Sequence, residues 1–473
     1  MDILKSIDDT VWGVPMIILI MGTGIFLTVR LGALQFRRLG KALYYMVHNE
    51  EGGTGEVSSF GALCTALAAT IGTGNIVGVA TAVMAGGPGA LFWMVLAACF
   101  GMATKFSEGL LAVRFRDVSP DGHSLGGPFL YIEKGMGRRW KWLAKLFSVF
   151  GICAGLLGIG TITQVNGIAE AALTFFDPHK EHTFLLFGMD KMEYSYATLF
   201  TAIFVAALTA LVVVGGIKRI ASVTSIIVPF MAIVYVAVCV TILIYNAENI
   251  PGAIVTIVKS AFGLRAVGGG VLGAMMLAMQ NGIARGIFSN EAGLGSAPIA
   301  AAAAQTHEPV RQGLVSMTGT FIDTIIICTM TGLTIVSTGA WQKNLEGVNV
   351  TIQAFRDGLP WSEHTATMVV MLCLMFFAFT TILGWDYYSE RCLEYLIGGR
   401  RQGVLLTYRW IYVLAVLVGP FIGLEAVWTL ADICNGLMAI PNLIGLLALN
   451  GVIVYESKSY FRRLSEGRLS DNH

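Results

Sequence analysis

Two adjacent hydroxyls, Thr380 and Thr381, sit inside the apolar run Phe376-Phe377-Ala378-Phe379-Thr380-Thr381-Ile382-Leu383-Gly384-Trp385. Uncharged oxygens of this kind suit a hard cation that must be released again. For a single membrane Thr, bonding to a carbonyl of its own helix is the commoner state. A second stretch, Ile71-Gly72-Thr73-Gly74-Asn75, lies in the middle of another apolar run. Each glycine weakens a helix by about 1 kcal/mol, so the backbone is expected to open there. The run holding Gln280-Asn281-Gly282-Ile283-Ala284-Arg285-Gly286 is expected to open near Gly282 in the same way. Opened backbone in lipid costs several kcal/mol per unpaired group unless protein, water or ligand satisfies it. Amides at a half-helix start suit a carboxylate, and freed carbonyls and hydroxyls suit an ammonium or sodium. A small-residue packing stripe is the other reading of the first glycine pair, and the second break weighs against it.

Six more polar positions call for a partner. Gln164 and Asn166 lie in an apolar stretch; Gln164 either touches a ligand or bonds a neighbouring helix. Trp385 either caps a small site or serves as an interfacial aromatic. Asp323 is an intramembrane carboxylate, a functional candidate by default, whether it holds a cation, relays protons or fixes Thr324. Arg285 and Glu291 are expected to form a structural or gating ion pair.

The elements that carry these residues are membrane spans. Of the 473 residues 55% are hydrophobic and 13% charged, and the net charge of +1 gives no field for a nucleic acid. The 56 glycines are about 12% of the chain against about 7% in average usage, as tight helix packing requires. Eight scattered cysteines fit neither a disulfide framework nor a zinc site. Runs near the roughly 20 residues of a span fall at 12–32, 60–85, 88–115, 146–175, 195–215, 219–246, 264–304, 311–337, 364–386, 404–424 and 428–455. The first run is read as a retained helix and not a signal peptide. Lys5, Lys180, Lys191, Lys259, Arg265, Lys343 and Arg356 lie on connections of one parity, Arg285 lies within a run, and every other Lys and Arg, Lys105 included, lies on the other parity. Positive connections stay cytoplasmic, which puts the amino terminus outside and the carboxyl terminus in the cytoplasm.

Counting from the first break, the second comes five spans later. Five is odd, so the second set enters from the opposite face, the pattern of inverted-repeat carriers. The expected organisation is 1–59 with an extra helix and a connection, a first five-helix repeat over 60–246, a second over 247–456, and a cytoplasmic tail over 457–473. No metalloprotease, nucleophile-elbow or Walker pattern is present, so an enzyme is not expected. A channel lined by the opened segments is the rival class.

The strings Ala69-Thr70-Ile71-Gly72-Thr73-Gly74-Asn75-Ile76-Val77-Gly78, Gly86-Gly87-Pro88-Gly89-Ala90, Arg285 through Pro298 (RGIFSNEAGLGSAP) and Ala439-Ile440-Pro441-Asn442-Leu443-Ile444 together resemble the alanine or glycine:cation symporter family, the sodium:alanine symporters, from about residue 10 to 456. The resemblance implies an all-α integral membrane protein of eleven transmembrane helices, with a leucine-transporter-like 5+5 inverted repeat, one extra N-terminal helix and two discontinuous helices. It implies import of a small neutral amino acid with sodium across the plasma membrane, with proton coupling as the alternative. It places the substrate against Thr73, Gly74, Gln164, Asn281, Gly282, Ile283, Phe379 and Trp385. It places sodium among the carbonyls of Ala68, Ile71 and Phe377 and the hydroxyls of Thr380 and Thr381, with a second cation near Asn75, Asp323 and Thr324. No nucleic acid and no obligatory protein partner are expected.

Overall fold

The computed structural model describes residues 2–50, 52–177, 179–185, 193–263, 270–422 and 424–469. Lys191, Arg265, the first six residues of the 264–304 run and the last four of the tail lie outside these. Among the described residues eight helical stretches are long and apolar enough to cross a membrane, with Arg138–Phe176 taken as one, or ten if two bent pairs each count as one span, and Val14–Arg30 is a shorter apolar helix. All of them fall on the expected runs. Several starts are locally encoded: the Ser58, Ser195 and Ser362 hydroxyls accept from Gly61, Ala197 and Thr365 amides at helix N-termini, the usual cap chemistry.

Burial sorts the helices into a centre and a perimeter. In Gly89–Phe115, 67% of the apolar window is buried, against 28% in Gly216–Tyr245. The perimeter helices expose Phe200, Phe204, Ile226, Phe230 and Ile233. Apolar side chains turned outward on this scale face hydrocarbon, not water.

The first expected break is present: Ser59–Thr70 and Gly74–Gly86 meet at a 53° bend. The second is not where the glycine reading put it. Helix Val271–Asn290 runs unbroken through Asn281, Gly282 and Ile283. Gly282 serves close packing, since a Cβ there would fall 2.2 Å from the Ala90 carbonyl oxygen. The chain leaves the helix at Glu291, which has φ +56°, and Gly293 and Gly295 follow at +93° and +83°. Left-handed backbone of this kind stops a helix and favours glycine.

Three features went unforeseen. The 146–175 run is two helices, Lys141–Leu157 and Ile162–Phe176. The 311–337 run contains a π-helical segment, Phe321–Cys328, carrying Asp323. Asn450–Ser465 is a helix bent 58° from Asp432–Ala448, so it crosses the expected boundary at 456/457.

Candidate functional site

The opened backbone at Ile71–Thr73 is held by side chains from three helices. The Gly72 amide, which would have continued the helix by bonding Ala68, donates to Asn75 Oδ1 at 2.9 Å. The Thr73 amide donates to Gln164 Oε1 at 3.3 Å. Thr381 Oγ1 donates to the carbonyls of Phe377 (3.0 Å) and Ile71 (3.3 Å). Thr380 Oγ1 reaches the Phe376 and Phe377 carbonyls at 3.1 and 3.0 Å. Ala68, Ile71, Phe377, Thr380 and Thr381 are all buried at this junction. Helix Glu363–Leu396 can come so close because Gly384 carries no Cβ, which would lie 2.7 Å from the Ala69 amide nitrogen.

Helical geometry decides which residues of Glu363–Leu396 face the break. Phe377 and Trp385 are one turn either side of Thr381 and share its face, whereas Phe379, two residues away, points about 160° from it. Phe379 accordingly lines an apolar groove with Phe204, Leu208 and Leu372, away from the opened backbone. Trp385 is fully buried and its indole N–H meets the geometry of a hydrogen bond with no partner among the described residues. The break at 158–161 packs on it, with Gly160 placed so that a Cβ would lie 2.6 Å from Trp385 Cβ.

Thr73 Oγ1 is likewise buried without a partner among the described residues. Thr73 and Gly74 border a cavity of about 340 Å³, whose walls include Gly167, Glu170, Arg285 and Phe288. That is ample for a small zwitterion and water. Asn281 lies elsewhere: its amide donates to Leu277 of its own helix, and it lines a neighbouring cavity of about 240 Å³ with Trp12 and Asp432. Gly282 and Ile283 are buried in helix packing. Arg285 does not pair with Glu291; it faces Asp432 at 3.5 Å, with its guanidinium 5.7 Å from the Phe288 ring centroid.

A polar chain links the first break to the end of helix Val271–Asn290. Asn75 Nδ2 donates to Asp323 Oδ1 at 2.7 Å. Asp323 Oδ2 accepts from Ser289 (2.9 Å) and Thr324 (2.7 Å), and Asn290 Nδ2 donates to Thr324 at 3.0 Å. Lys105 Nζ bonds the Asn290 carbonyl at 2.8 Å. Lys105 is therefore a buried interior charge of helix Gly89–Phe115, not part of a connection. Glu108 Oε1 accepts from Gly293 and Asn442, and Ser296 donates to Glu291 Oε2. The other carboxylate oxygen of each glutamate meets the geometry of a hydrogen bond with no partner among the described residues. Sequence reasoning missed Lys105 and Glu108 as interior groups, although an i, i+3 charge pair inside an apolar run was the available signal.

A second polar cluster closes one end of the molecule. His123, in the connection after Gly89–Phe115, has Nε2 2.7 Å from Glu394 and Nδ1 3.3 Å from Glu56. Arg391 bonds both glutamates. Hydrogen bonds to Glu394 and Glu56 outweigh burial and the nearby Arg391 charge, raising the His123 pKa to about 9. Burial opposes ionisation of Glu56, but the His123 bond and the Arg391 charge prevail and hold its carboxyl below the usual range. Arg116 donates to the carbonyls of Thr54, Ala302, Ala304 and Thr306, tying the 52–58 segment to the chain beyond the second break.

Comparison with known proteins finds relatives over nearly the whole chain. A model of the sodium:alanine symporter family matches residues 1–473. An uncharacterised transporter of Haemophilus influenzae is 55% identical over 464 residues, covering 98% of this chain and 96% of its own. The sodium/alanine symporter AgcS of Methanococcus maripaludis is 46% identical over 466 residues, covering 97% and 96%. A putative sodium/proton-dependent alanine carrier of Bacillus subtilis is 34% identical over 478 residues, covering 98% and 93%.

Proposed function

Because the chain belongs to the sodium:alanine symporter family, we propose that it carries a small neutral amino acid, alanine or glycine, into the cell with sodium by alternating access. The observation that carries this reading is the contact of Thr381 with the Ile71 carbonyl at the mouth of an opened helix whose next residues, Thr73 and Gly74, border a cavity. Sodium is assigned to the Ala68, Ile71 and Phe377 carbonyls with the Thr380 and Thr381 hydroxyls. There it braces the first break against helix Glu363–Leu396. The substrate carboxylate is assigned to the Thr73 hydroxyl and the start of the Gly74–Gly86 segment, where the helix dipole is positive. Gln164 Oε1 then offers an acceptor to the ammonium, and the Trp385 indole N–H closes the site. A second cation is assigned to Asp323 with Asn75 and Thr324.

We assign eleven crossings in two inverted five-helix repeats after one extra helix, the second discontinuity lying at 291–296. The charge parity of the connections supports an outside amino terminus and a cytoplasmic carboxyl terminus. In that orientation both cavities beside Arg285 open outward, and the His123 cluster closes the cytoplasmic end.

Alanine uptake into proteoliposomes with and without an inward sodium gradient tests the proposal. Gradient-dependent, saturable accumulation is expected; equal uptake in both refutes sodium coupling. Proton coupling is the second reading, favoured by the unpartnered oxygens of the buried Glu108 and Glu291. Accumulation driven by a proton gradient in sodium-free buffer distinguishes it.

A further inference from the structure

A further cavity lies at the end of the first apolar helix, lined by none of the residues assigned to transport. Val14–Arg30 terminates in a tight turn with Gly32 and Ala33 at positive φ. That turn folds Arg37 and Arg38 back beside Arg30. Helix Asn450–Ser465, bent away from the bundle, brings Lys458 to the same place. The four cations surround about 420 Å³ floored by Leu34, Val454 and Phe461.

No carboxylate lines this space, and none of the four cations has an ion-pair partner among the described residues. Arg30 donates to Asn450 Oδ1, Arg37 to the Gly32 carbonyl, and the Arg38 guanidinium lies 4.6 Å from the Phe461 ring centroid. Acids close by in sequence or space are committed elsewhere, Glu456 to Arg114 and Glu308 to Arg463. Four like charges around one cavity repel each other unless an anion enters. The anion must also suit the position. Arg30 is the last residue of an apolar span, and its neighbour Val29 is 73% exposed, so hydrocarbon adjoins the mouth of the groove. A phosphate set between basic side chains, with acyl chains along an apolar flank, satisfies both conditions.

We propose that this groove binds the headgroup phosphate of an anionic phospholipid. The phosphate sits among Arg30, Arg37, Arg38 and Lys458, and the acyl chains run beside Val29. The groove's chemistry is independent of the transport reading; only its assignment to the cytoplasmic leaflet follows from the orientation proposed above. The bound lipid fixes the bent helix Asn450–Ser465 against the foot of Val14–Arg30.

The test is native mass spectrometry of the full-length protein, titrated with phosphatidylglycerol, phosphatidylcholine or soluble glycerol phosphate. Phosphatidylglycerol is expected to bind in preference to the other two, and to weaken about fivefold for each charge removed in Arg37→Gln, Lys458→Gln and their combination. In wild-type protein, high salt is expected to release phosphatidylglycerol and leave phosphatidylcholine binding unchanged; this measurement stands even if a variant folds poorly. Equal retention of the two lipids, glycerol phosphate binding as tight as phosphatidylglycerol, or salt-insensitive binding each overturns the proposal. Sodium-driven alanine uptake in phosphatidylcholine vesicles is expected to survive Lys458→Gln, so failure of the lipid site and failure of the transport reading give different results.

Discussion

One hydroxyl, that of Thr381, touches both its own helix and the opened backbone at Ile71. If it ligates sodium, removing it loses a charge-assisted contact of about 1.5–3 kcal/mol. Thr381→Ala is then expected to raise the sodium concentration for half-maximal uptake about tenfold or more, and Thr381→Ser is expected to retain it. Unchanged sodium activation in Thr381→Ala rejects the assignment. Gly72→Ala probes the same point sterically, because its Cβ would lie 2.5 Å from Thr381 Oγ1 and 3.3 Å from Gln164 Oε1. Crowding of that order costs about 1–3 kcal/mol and displaces two groups assigned to the site. Alanine uptake should fall at least tenfold; near-normal uptake shows that the junction has room to spare. The polar residues near the break were legible because a hydroxyl or amide inside an apolar run must find a partner. Phe379, placed at the substrate by the resemblance, lines an apolar groove instead, because the 100° step per residue turns it away from the face of Thr381.

At the scale of elements, glycine is the ambiguous letter. Gly72 and Gly74 mark an opened helix, Gly282 marks close contact within an intact one, and Gly293 and Gly295 supply positive φ. Composition alone cannot separate these uses, which is why the second break was expected near Gly282 and is found at 291–296. Gly282→Ala is thus expected to act on stability: the Cβ would meet the Ala90 carbonyl at 2.2 Å and push helix Val271–Asn290 from Gly89–Phe115. A lower thermal midpoint, by about 1–3 kcal/mol of stability, is expected, and an unchanged midpoint contradicts the packing role. The connection carrying His123 gives a pH prediction. A pKa raised to about 9 means that the imidazolium's stabilisation is complete below the ordinary histidine value and is lost as pH rises through about 9. Glu56, held low, contributes above its ordinary value and loses its contribution as pH falls through its lowered pKa. The thermal midpoint should decline as pH rises from about 6.5 to about 9, and His123→Gln should flatten that decline. An unaltered slope in the variant removes His123 as its source.

For the whole molecule, the apolar runs were readable because lipid admits few solutions: a span needs length, and its backbone must be satisfied within the protein. The charge parity counted Lys105 in a connection, since a buried lysine at 2.8 Å from a carbonyl looks in sequence like the first residue of a basic connection. In the proposed assignment one opened helix is shared by both ligands. Ile71 belongs to the assigned cation site, and Thr73 and Gly74, two and three residues on, belong to the assigned substrate site. Two ligands that each order the same segment must favour one another, and linkage makes the favour equal in both directions. The affinity for alanine should rise with saturating sodium by the same factor by which the affinity for sodium rises with saturating alanine, about 5–150-fold for a typical coupling. Calorimetric titration of the purified carrier in all four conditions measures both factors. A sodium effect on alanine near unity, with sodium still binding, would mean that the cation occupies a place from which it does not touch the opened backbone.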